Sequence, residues 1–99
     1  MNTTMDVKQV NEGDHKGAFI VERGGERLAE MTYTTSDGGP VIIDHTWVSD
    51  TLRGQGVGAK LLAAFVARAR EAHWQVIPLC PYAKSVFDKD ASIRDVLAP

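Results

Sequence analysis

The sequence predicts an α/β protein: one mixed antiparallel and parallel sheet with helices on its faces, built as a single domain over residues 1–99. Three observations predict it. Up to Val48 the chain breaks into short strand-like runs separated by Gly, Asp and Pro turns. After Gly58 the apolar residues change to a period of about 3.6. A short strand and a proline-led helix follow, and strand–helix–strand order makes the two flanking strands parallel neighbours.

The elements follow in order. A weak strand is expected near Val7–Val10. Gly17–Arg23 contains Ala18-Phe19-Ile20-Val21, and the Gly24-Gly25 pair after it is a two-residue hairpin signal. Glu26–Thr35 alternates, with Ala29, Met31 and Tyr33 on one face and Leu28, Glu30 and Thr32 on the other. Ser36-Asp37-Gly38-Gly39-Pro40 is a turn cluster. Val41–Val48 is dense in β-branched residues and is expected as a more deeply buried strand, which completes an antiparallel meander. Leu61, Leu62, Phe65, Val66 and Ala69 form a helical stripe rich in flanking alanines, so a helix is expected from about Val57 to about His73. Gln75–Leu79 reads as a short strand with Pro78 at an end or a bulge. Pro81 suits a first helical turn, and a second helix is expected from Pro81 to about Lys89. In the polar tail, Ile93, Val96 and Leu97 are the residues able to dock.

Composition bounds the function. Eleven basic and 13 acidic side chains sum to −2, which argues against a general nucleic-acid binder. One cysteine excludes an internal disulfide framework and a cysteine-cluster zinc site, and the three histidines lack the spacing of a metal site. No apolar run approaches the roughly 18 residues of a membrane span, and the N-terminus does not read as a signal peptide. A soluble, cytoplasmic, monomeric domain is the expectation. Charge is uneven: residues 1–50 hold 4 basic and 9 acidic side chains, residues 51–99 hold 7 and 4. Arg53, Lys60, Arg68 and Arg70 occupy a stretch with no acid. That block is the composition of a solvated face, and it also permits an anionic ligand near residue 53.

The chemistry-bearing segments both follow strand ends. Gly54, Gly56 and Gly58 open the long helix, so several backbone N–H groups are presented without side-chain obstruction beside the positive end of the helix dipole. Such a loop cradles phosphate oxygens, and Arg53 at its mouth adds a charge. A plain flexible turn is the alternative. The run Gly58-Ala59-Lys60-Leu61 is not a Walker loop, and the third glycine comes one residue too early for a dinucleotide fingerprint.

Arg53-Gly54-Gln55-Gly56-Val57-Gly58 resembles motif A of the GNAT superfamily of acetyltransferases, Gln/Arg-x-x-Gly-x-Gly/Ala, over a region from about Ile43 to Asp95. The chain is still more similar to a minimal, single-domain GNAT-like N-acetyltransferase family. That family has a His-Thr pair before the loop, here His45-Thr46, and a Pro-x-Cys-Pro-Tyr/Phe-Ala-Lys segment, here Pro78 to Lys84, followed by Phe87. The resemblance implies a truncated GNAT (acyl-CoA N-acyltransferase) fold and acetyl-CoA as co-substrate without a metal. It implies acetyl transfer to an amine, on a small molecule or a protein. Pyrophosphate contacts are expected from Arg53, Gly54, Gln55, Gly56, Val57 and Gly58, and further coenzyme A contacts from Val48, Cys80 and Lys84. In larger relatives a tyrosine on the second helix is the proposed acid for the departing thiolate; Phe87 stands there in this chain and cannot donate a proton.

Two residues are the expected catalytic groups. Cys80 lies at or beside a helix N-cap, where the dipole favours a thiolate and Lys84 is one turn away; a small buried hydrophobe is the other reading. His45 shares strand parity with Val41, Ile43 and Trp47, so it is expected on an apolar face, as a core histidine or, through the resemblance, a catalyst. Asp44 and Glu30 could serve as bases through water or simply solvate the outer face. His15 and His73 read as surface residues. The expected function is acetyl-CoA-dependent N-acetyl transfer, with Cys80 as the acyl carrier or as a residue that only lines the pocket. The alternative is a non-catalytic coenzyme A-binding or protein-interaction module, while a thiol redox role lacks a second cysteine.

Overall fold

Strand pairing follows the turn chemistry of the first half. In the computed structural model, which describes residues 6–99, four strands run antiparallel in sequence order: β1 (Lys8–Gly13), β2 (Lys16–Arg23), β3 (Glu26–Thr34) and β4 (Val41–Val48). Gly24 and Gly25 both take positive φ, 59° and 83°, as a tight β2–β3 hairpin requires. The first strand begins one residue later than expected and runs to Gly13. After α1 (Val57–Ala72), β5 (Val76–Pro78) joins β4 in parallel, with Val41 opposite Val76 and Ile43 opposite Pro78. Pro78 ends the strand, where its missing N–H costs no ladder bond. The chain then enters α2 (Pro81–Lys89), with Pro81 in the first turn.

One apolar face of the sheet meets the helices. Ala29, Met31 and Tyr33 are buried as their alternation predicts, against Leu61, Leu62, Phe65, Val66 and Ala69 of α1. Phe65 packs edge-on to Phe19 and Tyr33 at centroid distances of 5.6 Å each. A fully buried phenyl of this kind stabilises a fold by about 3–5 kcal/mol relative to alanine. Ala83 and Phe87 bring α2 into the same core. His73 closes α1 in the left-handed conformation (φ 58°), its N–H bonded to Ala69 O and Arg70 O.

The tail docks as its apolar residues allow. Ala91–Val96 forms a 3₁₀ turn, Val96 is buried, and Leu97 bridges to Val76. Arg70 of α1 holds this turn with two bonds to Asp95 (3.0 and 2.8 Å) and one to Ser92 O (2.9 Å). A second 3₁₀ turn, Asp50–Leu52, was not legible in the sequence; it buries Leu52 and leads into the glycine loop.

No described helix covers the opposite face of the sheet. Ala18 and Ile20 lie on that face by register, yet both are buried. Arg27 of β3 reaches across β2 to Glu12 of β1 at 2.8 Å and also holds Glu30 at 3.2 Å. Hydrogen bonding to Arg27 keeps the Glu12 carboxyl below its ordinary range.

The expectation for Val41–Val48 needs correction. Its alternation holds only as far as Ile43. Tyr33 pairs with Ile43 and the next residue back, Thr32, pairs with His45, so Asp44 is an extra residue in β4. A bulge of this kind reverses side-chain parity beyond it. Thr46 and Val48 therefore take the helix side, opposite Met31 and Ala29, while His45 and Trp47 turn to the outer face. The strand is deeply buried only in its first half, Trp47 is 47% exposed, and His45 does not share a face with Val41 and Ile43. No helix among the described residues is long and apolar enough to cross a membrane.

Candidate functional site

The parallel pair is short, and its end makes the site. Ile43 O accepts from both Leu79 N (3.1 Å) and Cys80 N (3.0 Å), which are the last backbone links between the two segments. Beyond them β4 continues to Val48 while the other chain turns into α2. The extra residue at Asp44 follows immediately on the last pair, Ile43 with Pro78, and beyond it the two segments no longer pair. The gap between them is open toward the N-termini of both helices.

A cavity of about 400 Å³ occupies this region. Its strand-side wall is Thr46, Val48 and Leu52; its loop side is Arg53, Gly54, Gly56, Val57, Gly58 and Ala59, with Tyr82 across from them. Gly54 (φ 78°) and Gly56 (φ 71°) are left-handed, and a Cβ on either would meet nothing within 4 Å. The space in front of the loop is unfilled by protein. Gly56 is the N-cap of α1 and has no side chain to cap it, and the first intrahelical bond runs from Lys60 N to Gly56 O. The N–H groups of the first turn are thus left for an external acceptor, at the positive end of a 16-residue helix. This donor set fits a pyrophosphate.

Gly58 serves differently from the other two. Its φ is ordinary, but a Cβ there would stand 3.1 Å from Tyr82 Cζ. The Tyr82 ring lies against the start of α1 and closes the cavity on that side. Burial, and then the nearby Cys80, push the Tyr82 hydroxyl above its usual range, so it stays a neutral donor at physiological pH.

Among the residues expected at the site, Val48, Arg53, Gly54, Gly56, Val57 and Gly58 all line this cavity. Arg53 is exposed and paired with Asp50 at 2.9 Å. The Gln55 side chain bends back to Thr51 O at 3.4 Å. Lys84 is not brought to the cavity: it pairs with Asp88 one turn on (3.1 Å) and borders a separate cavity with β5 and the C-terminal tail. Cys80 is 2% exposed and lies behind the wall, its Sγ 3.2 Å from Thr46 Oγ1. Phe87 is core, 2% exposed, which leaves no room for acid chemistry at that position.

His45 lies on the outer face, across β4 from the cavity. Its Nε2 is 2.8 Å from Glu30 Oε2 and its Nδ1 is 3.1 Å from Thr32 Oγ1. An ionised carboxylate only accepts, so Nε2 carries the proton and Nδ1 of the neutral ring accepts from the Thr32 hydroxyl. Asp44 is likewise engaged, accepting from Thr34 Oγ1 at 2.8 Å. Sequence reasoning missed Thr46, Leu52, Ala59 and Tyr82 as cavity residues. Thr46 was hidden by the bulge; Tyr82 could have been found from its place one residue after the helix-opening proline.

The family profile of the GCN5-related N-acetyl-transferases matches residues 18–96. The chain belongs to that family. An NMR solution structure of a GCN5-like protein from Staphylococcus aureus is 40% identical, with a TM-score of 0.69, covering 95% of this chain and 88% of that one. Two more distant structures share the GCN5-related fold. An aminoglycoside N-acetyltransferase in complex with CoA is 14% identical, with a TM-score of 0.60 over 85% of this chain and 88% of its own. A ribosomal-protein-alanine N-acetyltransferase from Brucella melitensis is 16% identical, with a TM-score of 0.60 over 89% of this chain and 65% of its own. None of the curated proteins matches the sequence. The mixed five-stranded sheet expected from the sequence is the sheet of these acetyltransferases.

Proposed function

We propose that this GCN5-related protein binds acetyl-CoA between the parted ends of β4 and β5 and transfers its acetyl group to an amine. The observation that carries the reading is the uncapped, glycine-lined start of α1 facing an open cavity. The amides of 54–58 take the pyrophosphate, with Arg53 as a second, exposed cationic contact, and the acyl end lies toward Thr46 and Cys80. A fold neighbour solved with CoA supports the same ligand class.

Two routes fit these residues. In the first, the Cys80 thiolate attacks the acetyl carbonyl; a new S–C bond forms, the C–S bond to coenzyme A breaks, and coenzyme A leaves as a thiolate that takes up a proton. The acceptor amine then attacks the acyl-cysteine, loses a proton and returns Cys80 to its thiolate. In the second, the amine attacks acetyl-CoA directly and proximity supplies most of the acceleration. In the direct route an amine entering from the outer face gives its proton to His45, which Glu30 orients; in the acyl-cysteine route, on the helix side, that proton goes to solvent.

A non-catalytic coenzyme A-binding module is the second reading. Phe87 in the core, Lys84 paired away and Cys80 behind the cavity wall all favour it. Thermal melts with coenzyme A test binding, since a native-state ligand must raise the melting temperature. The expected rise disappears in Gly56→Val, whose side chain would fill the cradle. Release of free thiol from acetyl-CoA in the presence of an amine then separates enzyme from module.

A further inference from the structure

Cys80 is the N-cap of α2, yet its side chain makes no capping bond. An N-cap side chain ordinarily accepts from the second or third N–H of its helix. Here Sγ turns away from those amides and lies 3.2 Å from Thr46 Oγ1 instead. Three features produce this contact. The extra residue at Asp44 brings Thr46 to the helix side of β4. The Cys80 N–H bond to Ile43 O anchors the cysteine backbone to the same strand. Pro81 then starts α2 immediately, which holds the Cys80 backbone extended (φ −64°, ψ 123°).

We infer that Thr46 is a positioning residue for the Cys80 thiol, holding Sγ off the helix cap and against the strand-side wall of the cavity through its hydroxyl. The inference rests on the reading of this cavity as the acyl-CoA site. Thr46 lines the cavity directly, whereas Cys80 lies behind it, so Thr46 is the polar side chain between the two. One hydroxyl serves both states of the sulfur. It accepts from the neutral S–H, and after a rotation it donates to the thiolate, where the bond is charge-assisted and stronger. Lys84, bound to Asp88, does not supply that contact.

The test uses the thiol itself and needs no turnover, because the chain has a single cysteine. The intact protein is reacted with methyl methanethiosulfonate at fixed pH and the adduct is followed by mass spectrometry. Thr46→Val keeps the shape of the wall but removes the hydroxyl, and should slow modification by about ten-fold, the loss of one hydrogen bond to a charged sulfur. Thr46→Ser keeps the hydroxyl and should react at least as fast as the parent protein. Coenzyme A binding to the parent protein, measured separately by calorimetry, tests the reading of the cavity on which the inference rests. A folded Thr46→Val protein that reacts as fast as the parent, or faster, overturns the inference. If the modification rates follow the expected order but coenzyme A binds to none of the proteins, the positioning role stands and the acyl-CoA reading falls.

Discussion

Gly58 and Tyr82 occupy each other's space: the tyrosine ring sits where a side chain at residue 58 would stand, with Cζ 3.1 Å from the position of a Cβ. Gly58 lies inside α1 with an ordinary φ, so backbone freedom is not its reason. Alanine there should gain helix propensity of about 0.5–1 kcal/mol. It must also shift the Tyr82 ring, which bounds the cavity, by a few tenths of an ångström. Gly58→Ala is therefore expected to melt no lower than the parent protein while binding coenzyme A several-fold more weakly. Paired melts and calorimetry check both halves; unchanged affinity would mean that the ring does not shape the site.

Arg53 is the next point of leverage. Its guanidinium is held by Asp50 at 2.9 Å, and both side chains are largely exposed. Arg53→Ala should weaken coenzyme A binding by about 1–2 kcal/mol if the contact to phosphate is charge-assisted. Asp50→Asn should do the reverse, tightening binding at low salt by releasing the cation. Both effects should shrink as ionic strength rises. Equal affinities for Asp50→Asn and the parent protein at low salt would remove Arg53 from the site.

His45 and the glycine loop sit on opposite sides of β4, and that separates their phenotypes. His45→Ala should leave coenzyme A affinity unchanged within about two-fold, because no cradle group touches the ring. Acyl transfer per folded molecule should fall by about 10²-fold or more, the ordinary worth of a positioned base. Glu30→Gln should fall part of the way, since the amide still bonds Nε2 but no longer stabilises the charged ring. Preserved transfer in a less stable His45→Ala protein would make His45 a structural cross-strand residue.

The clamp from α1 to the tail predicts an acid dependence. Hydrogen bonding to Arg70 holds the Asp95 carboxyl below its ordinary value of 3.8. A carboxyl lowered in the folded state stabilises the fold above that ordinary value and ceases to do so as pH falls through the depressed one. Asp95→Asn should accordingly flatten the loss of stability below about pH 4, and the effect should be small and salt-sensitive because the pair is half exposed. Denaturant melts at pH 3 and pH 6 read it out.

Much of the site was legible because glycine and proline act locally. Gly54 and Gly56 take the left-handed conformation that a loop opening a helix suggests, and Pro81 starts α2 as its missing N–H predicts. Long-range partners were not legible in the same way. Lys84 is one turn from Cys80 along the sequence, yet Asp88 lies on the same helix face and takes its charge. The neighbour of Cys80 proved to be Thr46, 34 residues away.

The sequence by itself determined the strand order, the two helices, the aromatic and aliphatic core and the glycine loop that opens α1. Each depends on periodicity or on backbone preferences within a few residues. Tertiary structure alone decided which face each residue of β4 serves. Strand alternation is a count of two, and one extra residue at Asp44, visible only when Thr32 and Tyr33 are paired across the ladder, reverses it for every residue that follows. That single register step sends His45 to the outer face and delivers Thr46 to the thiol of Cys80.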